Sequence, residues 1–551
     1  VAEPRRQRAD IRLVPAAFAT WSGAGIFITL PWAWSAAGSL VALVVGAILA
    51  LVIRLAQIGI VPVRAPFRSI GLMLSAVLLM VCLSTLLFSI GLRQHERTTT
   101  PLSIAVAHGQ QLSMTLRLMS APRPLDSVHG PRQVIFDALV VQARAEGRAI
   151  AGIIRVHVIA GAGWEDLAEG SEVSTSGRIT PTPLQDPAVG YLHPATAPLN
   201  VVVAVDSPSR TLRNGWEASA RRVWGHASPD TQGLLPGMVT GERSLMAPGL
   251  EAAMKTAGLT HLTAVSGANC TLVLTLLMTL LRSWHIPRFL SVMVAVLGLG
   301  GFVAVVGPDP SVLRAATMGA IGALAMVGGR PRRVGTLLSM SIIALIVMDP
   351  WLALDYAFIL SVVATLGLHL FGKRCAYWLG IWMPQWLAQA AAIPMIAQLL
   401  CAPVLVLLQP RLTPFSIPAN IAVAPVVALV TTVGTLGMAV TVFVPAVADV
   451  CAGISGAGAW WVGTVARWVS AMPGSSVAWP SGAPGVVLMA TLGALIMLAL
   501  ASLANPKFAS TVSTWIKSRV SRRWRFLLGF GPLTALAAGI GALMTLAIGG
   551  L

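Results

Sequence analysis

Charge is scarce in this chain, and negative charge is scarcest. Asp, Glu, Lys and Arg make up only 11% of its 551 residues, against about a quarter in soluble domains. Cysteine is also sparse. Cys82, Cys270, Cys375, Cys401 and Cys451 form no CxxC pair, and each lies in or beside an apolar run. They read as small buried hydrophobes rather than a redox centre, metal site or disulfide framework. These shortages exclude an ordinary cytosolic enzyme, a disordered basic tail and a disulfide scaffold. What the chain does have is 56% hydrophobic residues, a mean hydropathy of +0.79 and 52 glycines among long apolar runs. It reads as a polytopic α-helical membrane protein.

The few charges are unequal, 38 Lys+Arg against 20 Asp+Glu, a formal +18. Two causes compete for that excess. Short cytoplasmic loops of membrane proteins collect Lys and Arg, and a basic surface also concentrates a polyanion. Placing the charges requires the spans, each about 20 apolar residues long. Thirteen segments qualify or nearly so: 13–30, 33–53, 70–92, 261–281, 289–307, 311–329, 334–348, 355–371, 387–408, 421–444, 446–468, 484–503 and 526–548. The expectation is about 11–13 spans. Arg5, Arg6 and Arg8 before the first imitate a signal peptide, but no cleavage site follows, so that segment is expected to be an uncleaved helix. Arg54, Arg64, Arg68, Arg282, Arg288, Arg330, Arg332, Arg333, Lys373 and Arg374 then fall in cytoplasmic loops, as does the polybasic run from Lys507 to Arg525. Topology therefore absorbs most of the +18.

No span interrupts residues 98–210, which this parity places outside the cytoplasm. Alternating or β-branched runs at 111–119, 133–145, 149–159, 171–180 and 200–205 are separated by Pro/Gly/Asp clusters. Five short strands suit an OB-like barrel. The expected organisation is N-terminal helices (1–97), an extracytoplasmic OB-like domain (98–210), a transmembrane domain (211–505), and a polybasic loop with a terminal helix (506–551). Within 98–206, seven arginines face nine acids, so the barrel is no obvious polyanion surface. Arg117, Arg144, Arg148, Arg155 and Arg178 are its candidates for nucleic-acid contact. Beyond it, a helix from about 211 carries Arg213, Arg221 and Arg222 with Trp216 and Trp224, a mixture expected of a helix lying against lipid headgroups; these three arginines, with Glu242 and Arg243 further on, are also candidates for DNA contact.

Polar residues where lipid is expected are the most informative feature. A polar, helical piece holding Glu242 and Arg243 runs toward a span that opens with His261, Ser266, Gly267 and Asn269. Spacing of i, i+4 would put His261, Val265 and Asn269 on one helix face. Arg314 lies three residues into another span. Asp349, Asp355 and Ser361 follow, then Asn420 among the prolines Pro418 and Pro425. Polar groups in a membrane face a bundle interior or an aqueous path, or tie helices together. A pairing of Arg314 with Asp349 or Asp355 is a hypothesis at this point.

These residues stand in ordered motifs. AGLTHLTAVSGAN (257–269), GPDPSVLRAATMG (307–319), MDPWLALDYAFILSVVATLGL (348–368) and FSIPANIAVAP (415–425) resemble the ComEC-type competence proteins, membrane channels that take up transforming DNA. Asn269 stands where a histidine is common in that family, and Ile359 where a glutamine is usual. The resemblance implies a channel passing single-stranded DNA inward, with His261, Ser266, Gly267, Asn269, Arg314, Asp349, Asp355, Ser361 and Asn420 along its path. It implies a separate DNA receptor, nuclease and helicase-like motor as partners, alongside membrane lipid; a homo-oligomer is compatible with it. Many members end in a metallo-β-lactamase-like domain. That chemistry needs clustered metal ligands, and none of the nine histidines here forms an HxH pair. The expectation is a form without that domain, no enzyme, with no metal and no cofactor. Two rivals stay open: a permease for a small or amphiphilic solute, and a membrane-anchored binding protein acting through its outer domain.

Overall fold

The computed structural model describes residues 13–58, 67–125, 133–145, 147–202, 207–265, 267–327 and 333–504. Ser266, the N-terminal arginines, Arg64, Arg330, Arg332 and everything from 505 onward, including the expected last span, lie outside them. In chain order the helices are α1 (Val14–Phe27), α2 (Trp32–Gln57), α3 (Phe67–Thr99), α4 (Pro101–Ala107), α5 (Pro208–Trp224), α6 (Pro229–Thr240), α7 (Pro248–Thr256), α8 (Gly267–Ser283), α9 (Arg288–Val306), α10 (Pro310–Val327), α11 (Val334–Met348), α12 (Tyr356–Leu379), α13 (Gln385–Leu408), α14 (Ser416–Val440), α15 (Pro445–Ser470) and α16 (Gly482–Ala504). The strands are β1 (Gln111–Leu118), β2 (Arg123–Leu125), β3 (Gln133–Ala145), β4 (Arg148–Ile150), β5 (Ile154–Ala160), β6 (Glu172–Pro181), β7 (Gly190–Pro194), β8 (Leu199–Val202), β9 (Arg411–Leu412) and β10 (Val477–Ala478).

Among the described residues, eight helices are long and apolar enough to cross a membrane: α2, residues 73–99 of α3, α9, α10, α12, α13, α14 and α16. A helix occupies each of the twelve expected spans within the described residues, that from 261 only after a 3-10 turn and an extended residue. Four fall short of that measure. At 14, 17 and 15 residues, α1, α8 and α11 reach only about 21–26 Å at 1.5 Å per residue, against a core of about 30 Å. The fourth, α15, has the length but is diluted by glycine, tryptophan, Asp449 and Arg467.

The chain divides into two compact units. The first holds the described residues up to 211 and residues 317–358; the second holds 212–316 and 359–504. In the first, α2 and α3 form a hairpin fastened by a reciprocal polar clasp. Ser39 Oγ donates to the Ser84 carbonyl (3.0 Å) and Ser84 Oγ donates to the Ser39 carbonyl (3.1 Å). In an apolar surround such bonds tie helices together, because lipid offers no alternative partner.

The rest of this unit is built around a β-barrel. Burial alternates along each strand, as in Gln133–Ala145, so that one side chain in two enters the core. The hydrogen-bonded order β1-β3-β5-β7-β6 closes back onto β1; β5–β7 is parallel and the other pairs are antiparallel. Numbering the five principal strands in sequence gives the circuit 1-2-3-5-4-1, that of an OB-like barrel. Trp164 stacks on Phe136 inside it, with ring centroids 5.8 Å apart. Leu102, Ala105 and Val106 of α4 complete the core, each large buried apolar side chain contributing about 1.5–3 kcal/mol. The expected strands are present, the last of them (200–205) described only as far as 202, with two additions, β2 and β7, and one break. The run 149–159 divides into β4 and β5 around Gly152, whose φ of +144° suits glycine alone.

In the second unit α5 departs from the sequence reading. It was expected to lie on lipid headgroups with its tryptophans at the interface. Instead Trp216 is fully buried, packed on α14 where a Cβ at Gly437 would come within 2.5 Å of its ring. Trp224 donates its indole N–H to the Ala452 carbonyl at 2.9 Å, filling a slot left by Gly456 of α15. Glycines far along the chain provide the room, and local composition does not reveal them.

Candidate functional site

The segment from α6 to α8 forms the core of the site. Here α6 is almost wholly buried, and at 12 residues it is too short to span. It ends at Gly241 in the left-handed conformation, and Glu242 and Arg243 follow in a loop. Then come α7 and a short 3-10 turn, Thr260–Thr263. Ala264 is extended, with φ −101° and ψ 136°, and α8 begins only at Gly267. The expected continuous span from 261 is therefore broken. The i, i+4 face joining His261, Val265 and Asn269 does not exist, because the chain leaves helical geometry between them. His261 lies exposed on the 3-10 turn, while Asn269 is buried in the first turn of α8.

A break in an apolar surround strands backbone carbonyls, and each needs another partner. Ser311 Oγ donates to the Val265 carbonyl at 3.1 Å. Arg243 Nε donates to the Thr263 carbonyl at 3.3 Å, and Thr263 Oγ1 donates to the Thr260 carbonyl at 2.9 Å. Gly258, at φ +69°, turns the chain where a Cβ would come within 2.6 Å of Ser416 Cβ. The break is thus supported on several sides by side chains suited to the task.

Arg314 lies beside it. At 8% exposure it is the one buried charged side chain among the described residues. Its Nε donates to Ser361 Oγ of α12 at 2.8 Å. A Cβ on Gly267 would stand 3.5 Å from Arg314 Nη2 and 3.1 Å from Ala315 Cβ, so Gly267 lets α8 and α10 approach with the guanidinium at the first turn of α8. Helix N-termini carry partial positive charge, and Arg314 itself lies in the second turn of α10. Two positive helix ends and a guanidinium therefore converge, an arrangement suited to an anion such as phosphate. Cys270 Sγ, 3.8 Å from the Val312 carbonyl, adds a contact that sequence reasoning missed; its place one turn into α8 was the available signal.

The other sequence candidates have local tasks. Asp349 accepts from the Trp351 amide at 3.2 Å, starting a 3-10 turn, Pro350–Ala353. Asp355 caps α12 by accepting from the Phe358 amide at 2.8 Å. Both belong to the first unit, whereas Gly267, Asn269, Arg314, Ser361 and Asn420 belong to the second. Asn420 bonds back to the Ser416 carbonyl at 2.8 Å. Glu242 turns back on the Ser244 amide at 3.0 Å. On α5, Arg222 is bidentate to Asp449; Arg213 is half-buried and Arg221 exposed. The charges of Arg213 and Arg221 partly offset the burial that raises the Glu217 carboxyl.

On the barrel, Arg117 donates from Nε and Nη2 to one oxygen of Glu172, Oε1 (2.9 and 2.6 Å). Arg155 pairs with Asp137. Asp137 also holds His157 Nδ1 at 2.6 Å, and Asp186 holds its Nε2 at 3.0 Å. Both ring nitrogens can donate only when the imidazole is protonated. The hydrogen bond to Asp137 accordingly raises the His157 pKa against the opposing effect of burial. Burial would raise Asp137, but bonds from His157 and Arg155 outweigh it and bring its carboxyl to about 2. Arg144, Arg148 and Arg178 are exposed.

A family model described as Competence protein matches residues 238–504, a stretch that takes in the break, Arg314, Ser361 and Asn420. No curated protein and no solved structure matches the chain. Residues 238–504 thus carry the Competence domain, and with the apolar helices and the inserted barrel they make the chain similar to the ComEC-type competence proteins.

Proposed function

We propose that this protein conducts single-stranded DNA inward across the cell membrane during natural transformation. The Competence domain supports a role in DNA uptake. The observation favouring conduction of a strand is Arg314, the one buried charge among the described residues, held beside a broken span. A charge in a membrane domain costs at least about 2.5–3.5 kcal/mol. Its placement at two positive helix ends suits transient contact with passing phosphates. The barrel, on the extracytoplasmic side in this reading, receives or orients the strand. His261 and Asn269 lie along the path in this reading, and a separate motor supplies the energy. A receptor and a nuclease act upstream.

The test is DNA uptake in transformable cells, with surface-bound and internalised DNA measured separately. Deletion, Ser266→Leu and Arg314→Ala are expected to abolish or strongly reduce internalisation while surface binding persists in the two variants. Normal internalisation in the deletion strain would overturn the reading and favour a solute permease. Intact internalisation in both variants, with loss only on disrupting the barrel, would favour a membrane-anchored binding protein.

A further inference from the structure

The barrel has two faces with different charge environments, and only one is open to a polyanion. OB-like barrels commonly bind oligonucleotides on their second and third strands and on the loops joining the first to the second and the fourth to the fifth. Among the described residues β3, β5 and the segment 182–188 are occupied. The Arg97 guanidinium, at the end of α3, donates to Thr182 Oγ1 (3.1 Å) and to the carbonyls of Pro183, Leu184, Asp186 and Ala188. The Trp351 indole donates to the Leu184 carbonyl at 3.1 Å. Asp137, Arg155 and His157 on the strands and Asp186 on the segment are bonded to one another. A phosphate arriving there meets two carboxylates and cations already paired.

The opposite face is laid out by strand register. Across β7, β6 and β1 one row reads His193, Arg178, Gln111. The next, across β6, β1 and β3, reads Ser176, Ser113, Arg144, and the third reads Ser174, Thr115, Gln142. The fourth begins with Glu172, which is bonded to Arg117 beside it. All of these alternate with the buried positions and point outward, and His193, Arg178, Gln111, Ser113, Arg144 and Gln142 are exposed. Among the described residues the first three rows contain no acid. Arg178 and Arg144 lie two strands and one row apart, about 10 Å across and about 7 Å along. Arg148 falls on the other side of the β3–β4 hairpin, since its register partner is Ala145 rather than Arg144.

We propose that the β7–β6–β1–β3 face is the strand-binding surface of the barrel, with Arg178 and Arg144 as phosphate contacts and the Ser, Thr and Gln rows as hydrogen-bonding partners. This rests on the reading of the cargo as single-stranded DNA. The rows offer no Phe or Trp for stacking, so binding is carried by the sugar-phosphate backbone. It is accordingly indifferent to base and steep in salt.

The experiment uses the full chain in lipid nanodiscs and a fluorescein-labelled 20-nucleotide oligothymidine, with anisotropy read across a salt series. The R144E/R178E pair is expected to weaken binding about tenfold or more at 0.1 M salt. It should also flatten the log–log salt slope by roughly 1.4, about 0.7 for each of the two phosphates no longer neutralised. The neutral R144Q/R178Q pair should do so more mildly, with R117Q and R155Q within twofold of wild type. Oligodeoxyadenosine should bind within a few-fold of oligothymidine. Loss of affinity in R155Q with R144Q/R178Q unaffected would overturn the assignment of the face, as would a wild type that binds no oligonucleotide. The cargo reading falls separately, only if deletion of the protein leaves internalisation unchanged in cells.

Discussion

The barrel and the broken span hold arginine in opposite ways. On the barrel, Arg117 is exposed and Arg155 half-buried, and both face carboxylates in adjacent strands. Such pairs cost little to form and stabilise little, about 0–1 kcal/mol each. At the break, Arg314 is buried, its Nε on a serine hydroxyl and its guanidinium near the positive end of α8. Removing a charge from solvent there is expensive. The contrast teaches that the number of basic residues is a poor guide to where a polyanion is handled. Seven arginines in the barrel region say less than one in the membrane domain.

That contrast can be broken or sharpened by substitution, beginning with the membrane domain. Trp216→Ala empties the slot beside Gly434 and Gly437 and should cost about 3–5 kcal/mol, read as a large fall in the melting temperature of the purified protein. Gly267→Val forces bulk between α8 and α10, where even a Cβ would meet Ala315 at 3.1 Å. A loss of about 1–3 kcal/mol is expected, with internalisation falling further than stability alone explains. Ser311→Ala removes the donor to the Val265 carbonyl, a cost of about 1–3 kcal/mol, whereas Ser311→Thr should retain most function.

The barrel should answer more weakly and through pH. His157 has a raised pKa in the fold, so its contribution is complete below its unfolded value and is lost as pH rises through the folded one. Between pH 6 and 9 the melting temperature of wild type should decline more than that of His157→Asn; parallel curves would remove the Asp137–His157–Asp186 clasp from the account. Asp137, lowered to about 2, contributes down to strongly acid pH and should leave this window flat. Arg117→Gln gives the smallest change, within about 1 kcal/mol.

Much of the fold was legible from alternation and run length. Strands β1, β3 and β6 lie where period-2 patterning puts them. The five-residue β7 was not seen, because its place depends on a parallel pairing with β5 across some thirty residues and not on its own pattern. Residues of the site were visible as polar groups in apolar sequence, but their geometry was not. Hydropathy measures run length and is blind to the extended Ala264, so His261 was placed on a helix it does not join. Asp355 was legible as a cap from its position three residues before Phe358, and was instead read as a polar group along the path or a partner for Arg314. The glycine slots for Trp216 and Trp224 lie more than 200 residues beyond them, a complementarity that no local window contains.

The most direct test of the central claim is the ratio of internalised to surface-bound DNA in cells carrying Arg314→Ala at wild-type protein levels. A fall of about a hundredfold is expected, matching removal of a charge-assisted hydrogen bond of about 2.7 kcal/mol, with surface binding within twofold. An unchanged ratio would contradict the account and leave Arg314 as a helix-packing residue.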